Sequence, residues 1–88
     1  MIDLWAEIEK HQPLAIRAGF GEEWADMCRE KTPEAARSMF DAALGQWRHS
    51  CTNEAEAAAR AAHAALEAVA VWYAVQNLKK ILNAPERF

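Results

Sequence analysis

The chain has 88 residues, of which 52% are hydrophobic and 26% are charged, a balance typical of one small globular domain over residues 1–88. Its formal charge of −3 argues against a nucleic-acid partner, because such proteins usually present a basic surface to the phosphates. Two cysteines are too few for a disulfide scaffold, so we expect a reduced, cytoplasmic protein. Glu67 interrupts the longest apolar run, which excludes a membrane-spanning helix.

Two short helices are predicted at the start of the chain. Asp3 is well placed to cap a helix over residues 3–11, since aspartate accepts backbone N–H groups at a helix start. Pro13 ends that helix and suits the first position of a second helix over residues 13–18. The Gly-Phe-Gly segment 19–21 predicts a turn, in which the glycines tolerate positive φ and the aromatic ring folds back onto the core.

Two amphipathic helices follow this turn. Residues 22–31 place Trp24 on an apolar face and acidic side chains on the opposite face. Thr32 is then a good N-cap, and the proline after it suits the first turn of a helix over residues 33–48. Apolar side chains fall on one stripe of that helix, as expected for an element half buried against its neighbours.

The last predicted helix, residues 53–82, occupies about a third of the chain and lacks glycine and proline. Asn53 is predicted as its N-cap, with Glu56 as the partner in a capping box. Its first half consists mostly of alanine, whereas its second half is apolar around nearly the whole circumference. No segment shows strand periodicity, so we predict an all-α protein, a small bundle of four to five helices with a long C-terminal helix.

The long helix also indicates self-association. A helix of this length is a rod of about 43 Å, whereas a compact domain of 88 residues has a radius of gyration of about 12 Å. The short upstream helices therefore leave part of the rod without cover, and we predict a dimer. A heptad seam suited to a partner helix runs along Ala61, Ala64, Ala68, Val71, Val75, Leu78 and Leu82. The alternative is that this seam packs on the upstream helices of its own chain. The residues predicted to mediate self-association are Val71, Trp72, Val75, Leu78 and Leu82.

The acidic helix 22–31 suggests a surface for a protein partner. Trp24 has Glu22, Glu23 and Asp26 close to it in sequence, and an aromatic side chain ringed by acidic charge can anchor and steer a basic partner. The alternative is an ordinary solvated helix face.

A small ligand or nucleotide is the competing hypothesis. Arg60 and His63 share one stripe of the long helix, and Trp72 and Tyr73 add aromatic rings further along it. Such side chains can form a pocket between helices or between subunits. The alternatives are a solvated face with ion pairs and aromatic rings packed in the core.

Neither a metal site nor a catalytic site is indicated. His49 and Cys51, with Cys28, supply the ligand types of zinc, but the H-x-C spacing does not recur in structural zinc sites and a fourth ligand is missing. No residue near His11 or His63 specifies an acid–base or nucleophilic arrangement. We predict a protein without enzymatic activity, metal or cofactor.

Three stretches of the chain resemble small helical open reading frames of phages and other mobile elements. They are Gly21-Glu22-Glu23-Trp24, then Thr32-Pro33-Glu34-Ala35-Ala36, and the alanine-rich last helix. The resemblance is compositional and transfers no functional residue. It implies an adaptor or inhibitor that acts by binding, and that would block a bacterial host protein belonging to a defence or regulatory machine.

Overall fold

The computed structural model describes residues 3–83. Residues 1–2 and 84–88, which the predicted domain includes, lie outside the described part. Five α-helices and no strand occur between residues 3 and 83, which confirms the predicted all-α class and the long C-terminal helix. In chain order the helices are α1 (Leu4–Glu9), α2 (Gln12–Ala18), α3 (Gly21–Glu30), α4 (Pro33–Ser50) and α5 (Asn53–Asn83).

Two of the three predicted N-caps are confirmed. The Asp3 carboxylate accepts a hydrogen bond from the Trp5 backbone N–H at 3.0 Å, and the Thr32 hydroxyl accepts one from the Ala35 N–H at 3.2 Å. Each bond satisfies a backbone donor that has no partner within the helix, and this fixes where α1 and α4 begin.

The N-cap of α5 is Thr52 and not Asn53. The Thr52 hydroxyl accepts a hydrogen bond from the Ala55 N–H at 3.0 Å, while Asn53 is already the first helical residue. The cause lies in α4, which continues to Ser50 instead of ending at residue 48. Cys51 then reverses the chain in the left-handed region, with φ of 52°, and the next side chain with a hydroxyl caps α5.

The Gly-Phe-Gly turn contains one glycine with positive φ. Gly19 has φ of +100° and ends α2 with the hydrogen bonds of a C-terminal cap. The Gly19 N–H donates to the Ile16 carbonyl at 3.1 Å, and the Phe20 N–H donates to the Ala15 carbonyl at 3.0 Å. The Phe20 ring is buried as predicted. Gly21 does not take positive φ and serves close packing instead, since a Cβ there would lie 2.5 Å from Ile16 Cγ1.

The core lies where α1 to α4 meet the first half of α5, and we call this part, residues 3–69, the head. α4 packs along α5, and α3 packs against α2 and α4. Alanines of α5 lie at the centre, and their small side chains allow the neighbouring helices to approach closely. The largest fully buried side chains are Trp24, Phe20, Met27, Met39 and Val69.

Beyond Val69, α5 leaves the head, and we call residues 70–83 the distal half. Trp72 packs its ring against Trp5 with the ring centroids 5.4 Å apart and the planes nearly perpendicular. The radius of gyration is 15.0 Å and the longest dimension is 57 Å, against a radius of about 12 Å expected for a compact domain of this length. The upstream helices therefore leave much of the rod exposed, as its length predicted.

Candidate partner-binding surface

Four apolar side chains lie exposed along one side of the distal half. The exposed fractions are 65% for Val71, 41% for Val75, 52% for Leu78 and 73% for Leu82. We call these four residues the distal face. They were predicted to mediate self-association together with Trp72, which is half-buried against the head instead.

The distal face differs from the stripe of α5 that points toward the head. Within the head this second stripe consists of buried small or medium side chains, Ala62, Ala65 and Val69. Beyond Val69 it continues with Trp72, which packs on Trp5, and then with the polar side chains Gln76 and Lys79. The stripe that loses its cover therefore becomes polar, whereas the distal face remains apolar although this chain does not cover it.

A shallow groove continues the line of the distal face into the head. Its floor is Ala61, Ala64 and Ala68, which are the head part of the same heptad seam, and its opposite wall includes Glu7 and His11. The groove has a volume of about 390 Å³. We call it the alanine groove. Its floor residues are exposed or half-buried, so the seam is open over its length from residue 61 to residue 82.

The predicted aromatic anchor on α3 is wrong. The Trp24 side chain is 1% exposed, and its Nε1–H donates a hydrogen bond to the Ile8 carbonyl at 3.2 Å. The apolar face of α3 that carries this ring points into the core. Only the carboxylates Glu22, Glu23 and Asp26 remain at the surface, where Asp26 pairs with Arg29. An acidic face without an aromatic centre is a solvated helix surface.

The predicted ligand residues do not share one pocket. Nine residues separate His63 from Trp72, which places them on opposite sides of α5, about 13 Å apart along its axis. Trp72 packs on Trp5, and Tyr73 lies partly exposed on α5. Within one chain the predicted pocket is not formed, because the 3.6-residue period separates the two pairs of side chains, and a pocket between subunits stays a prediction.

Arg60 and His63 line a different groove, between α4 and α5, with a volume of about 410 Å³. Arg60 forms an ion pair with Glu56 at 2.7 Å, and His63 Nδ1 lies 3.0 Å from Glu67. The other wall is apolar, and the sequence reasoning missed its residues because their stripe had been assigned to the core. Trp47 on this wall is 40% exposed. The residues that line the α4–α5 groove are Phe40, Leu44, Trp47, Glu56, Ala59, Arg60 and His63.

The two cysteines are unpaired thiols in different surroundings. Burial raises the pKa of the Cys28 thiol, the nearby Glu9 carboxylate raises it further, and Lys31 opposes the shift. Cys51 is exposed at the end of α4. Among residues 3–83, no three His, Cys, Asp or Glu side chains gather closely enough to hold a metal ion.

Within the described part of the chain, no helix combines the length and the apolar character that crossing a bilayer requires. The chain matches no family model, no curated protein sequence and no solved structure.

Proposed function

We propose that the protein acts by stoichiometric binding to another polypeptide, without catalysis, and that the distal face is its binding surface. One observation carries this proposal: four aliphatic side chains remain exposed on one side of α5, while the neighbouring stripe becomes polar beyond Trp72, its last contact with the head. Contiguous exposed apolar surface of this kind marks interaction sites on proteins.

The spacing of the distal face fits recognition of a helix. Val71, Val75, Leu78 and Leu82 are separated by four, three and four residues, the spacing with which an amphipathic helix docks in a groove or against another helix. Full burial of such a side chain contributes about 1.5–3 kcal/mol. Each of the four is already partly covered within its own chain and gains less than this, and their sum acts against an entropic cost of association of about 4–15 kcal/mol.

The non-catalytic part of the proposal is supported by the surroundings of the reactive side chains. The His63 imidazole is exposed and lies beside Glu67, and the raised pKa of Cys28 disfavours the nucleophilic thiolate. For the partner, the resemblance to small phage proteins implies a bacterial host protein. The acidic carboxylates of α3 would then favour a partner with a basic rim.

The test is a capture experiment with tagged protein as bait. Baits are wild type, the double variant Leu78→Glu with Leu82→Glu, and the control Asn77→Glu, which adds a charge at an exposed position that adjoins Leu78 in sequence but lies on another side of α5. Each bait is offered bacterial lysate and, separately, an untagged copy of the protein. We expect a captured protein with wild type and control, and a loss of at least about tenfold with the double variant, since a buried unpaired charge is strongly unfavourable. Equal capture by all three baits would exclude the distal face.

A second candidate function is binding of a small anionic or aromatic ligand in the α4–α5 groove. The observation in its favour is that Trp47 and Arg60 line the same groove, so a stacking surface and a cation lie close together. A ligand that binds only the folded state raises the melting temperature by mass action. We expect any such rise, in a screen of nucleotides and metabolites, to vanish in Trp47→Ala and to persist in Leu78→Glu.

A further inference from the structure

We propose that the partner of the distal face is a second copy of this chain, bound antiparallel, with the distal half of each copy lying in the alanine groove of the other. This inference rests on the proposed function, because it names the partner of the same surface. Three properties of the molecule support it: the sizes of the side chains along the seam, the distribution of charge, and the position of the head on α5.

The seam is self-complementary in size when two copies run antiparallel. It carries alanine in the head and larger aliphatic side chains in the distal half. A two-fold axis beside residues 69 and 70 places each large side chain opposite an alanine, which is the large-to-small packing that lets two helices approach closely. The four contacts pair Ala57 with Leu82 of the partner subunit, Ala61 with Leu78 of the partner subunit, Ala64 with Val75 of the partner subunit, and Ala68 with Val71 of the partner subunit.

A parallel arrangement lacks this complementarity. It would place alanine opposite alanine in the head and leucine opposite leucine at residues 78 and 82, so the two helices would have to diverge along the seam. An isologous antiparallel interface uses the same surface of both copies and closes on itself, which is the commonest symmetry of soluble oligomers.

The charge distribution favours the same orientation. Residues 3–69 contain twelve acidic and seven basic side chains, a net charge of −5, whereas residues 70–83 contain Lys79 and Lys80 and no acidic residue. Antiparallel pairing lays the basic distal half of one copy on the acidic head of the other. The receiving groove is lined by Glu7 and also by Arg60, whose charge is paired with Glu56 of its own chain. Parallel pairing would place the four lysines of two copies side by side, which is unfavourable.

The position of the head completes the geometry. In each copy the head packs on one side of α5 up to Val69, close to the proposed two-fold axis, and leaves the seam open; beyond Val69 it contacts α5 through Trp72, and the distal face is uncovered. The antiparallel pair therefore places each head beside the bare distal half of the other copy. The contact between a distal half and an alanine groove therefore occurs twice in the pair, and together the two contacts cover the distal faces of both copies.

The mass of the particle is the first test. The chain has a mass of 9.9 kDa, so sedimentation velocity over a concentration series should show a species of about twice that mass, the ratio that a closed two-fold interface requires. We expect Leu78→Glu to raise the dissociation constant at least tenfold and the neighbouring Asn77→Glu to change it less than twofold. Circular dichroism should show both variants folded, because both side chains are exposed in the monomer. A single-chain mass at all concentrations for the wild type would overturn the proposal.

Cysteine cross-linking tests the orientation. In a background with Cys28→Ser and Cys51→Ser, the single variants Ala61→Cys and Leu78→Cys are mixed and oxidised. The antiparallel register predicts a disulfide between the two different variants, because a disulfide forms only when the two Cβ atoms are about 4 Å apart. Disulfides of Leu78→Cys with itself, formed in preference to the mixed species, would overturn the register and indicate parallel helices.

Charge reversal separates the two orientations independently. Lys79→Glu with Lys80→Glu should weaken the antiparallel dimer at least tenfold, and the difference from wild type should diminish at high salt because exposed charges are screened. An unchanged dissociation constant would contradict the contact between distal half and head. If the wild type is monomeric while the distal face still captures a different protein, only the inference about the second copy fails. If Leu78→Glu changes neither mass nor capture, the proposed function fails with it.

Discussion

The two halves of α5 differ in a way that the helix itself does not require. Both halves lack glycine and proline and form one continuous helix. In the head the side chains of α5 are mostly alanines, and five of these are buried, whereas in the distal half the side chains are larger and mostly exposed. Along α5, the half that the other helices cover carries mostly small side chains, and the half that they leave exposed carries larger ones. Helix propensity explains why α5 forms, whereas the proposed burial by a partner would explain the apolar composition of its distal half.

The largest expected difference between the two halves is the loss of unfolding free energy when a charged side chain replaces an apolar one. Val69 is buried in the head and Val75 is 41% exposed in the distal half, so the same change can be made in both. We expect Val69→Asp to lower the free energy of unfolding by at least about 3 kcal/mol, because an unpaired carboxylate enters the core. In a dilute sample Val75→Asp should change it by no more than about 0.5 kcal/mol.

Urea denaturation at two protein concentrations measures both variants. If Val75→Asp lowered the stability of dilute protein as much as Val69→Asp, the distal half would be covered by its own chain, and the contrast between the halves would be lost.

The next effect concerns how tightly the head is packed. A Cβ added at Gly21 would lie 2.5 Å from Ile16 Cγ1 and 3.0 Å from its Cα, whereas nothing lies within 4 Å of a Cβ added at Gly45. We expect Gly21→Ala to destabilise the head by about 1–3 kcal/mol through overpacking. Gly45→Ala should stabilise it by about 0.5–1 kcal/mol, because alanine favours the helix at this exposed position.

Thermal melts of the two alanine variants read out this difference directly. A domain of this size shifts its melting temperature by about 4–8 °C for each kcal/mol, so the two variants should move in opposite directions from wild type. Equal shifts would mean that α2 and α3 do not pack closely at Gly21.

A smaller effect is expected at the start of α5, where the covered half begins. Thr52→Ala removes the hydroxyl that accepts the Ala55 N–H and should cost about 1 kcal/mol, the usual value of an N-cap. Asn53→Ala changes the first helical residue and leaves that hydrogen bond in place, so we expect it to be close to neutral. Chemical denaturation of both variants decides which residue is the cap. A larger loss with Asn53→Ala would restore the cap predicted from the sequence.

Much of the fold was predictable from the sequence because it depends on local signals. The Asp3 and Thr32 caps, the Gly19 turn and the uninterrupted α5 follow from backbone and capping preferences that act over a few residues. The length of α5 set against the short upstream helices also predicted an exposed distal half.

The candidate site was harder to predict because it depends on which stripe of each helix meets another helix. The sequence shows that α3 is amphipathic, but only the packed structure shows that Trp24 points into the core and hydrogen-bonds the Ile8 carbonyl. In the same way, His63 and Trp72 were both assigned to one ligand pocket because they lie on the same helix. The helical period puts their side chains on opposite sides of α5. The α4–α5 groove was missed because Trp47 continues an apolar stripe and lies at the point where that stripe becomes exposed.

The smallest expected effect tests the charged stripe on the covered half. Arg60 pairs with Glu56 on α5, and Arg37 pairs with Asp41 on α4 with the same four-residue spacing. Arg60→Gln and Arg37→Gln should each cost no more than about 0.5 kcal/mol, since an exposed helical pair contributes little.

Double-mutant cycles with Glu56→Gln and Asp41→Asn isolate the two pairs. Arg60 lines the α4–α5 groove, whereas Arg37 does not. If Arg60→Gln lowers the free energy of unfolding more than Arg37→Gln, and coupling to Glu56 does not explain the excess, the guanidinium packs against the groove wall. The outward stripe of the covered half would then contribute to the stability of the head. Equal and small losses would instead leave Arg60 free to contact a ligand, and the distal face would remain the surface of α5 for which we propose cover by another chain.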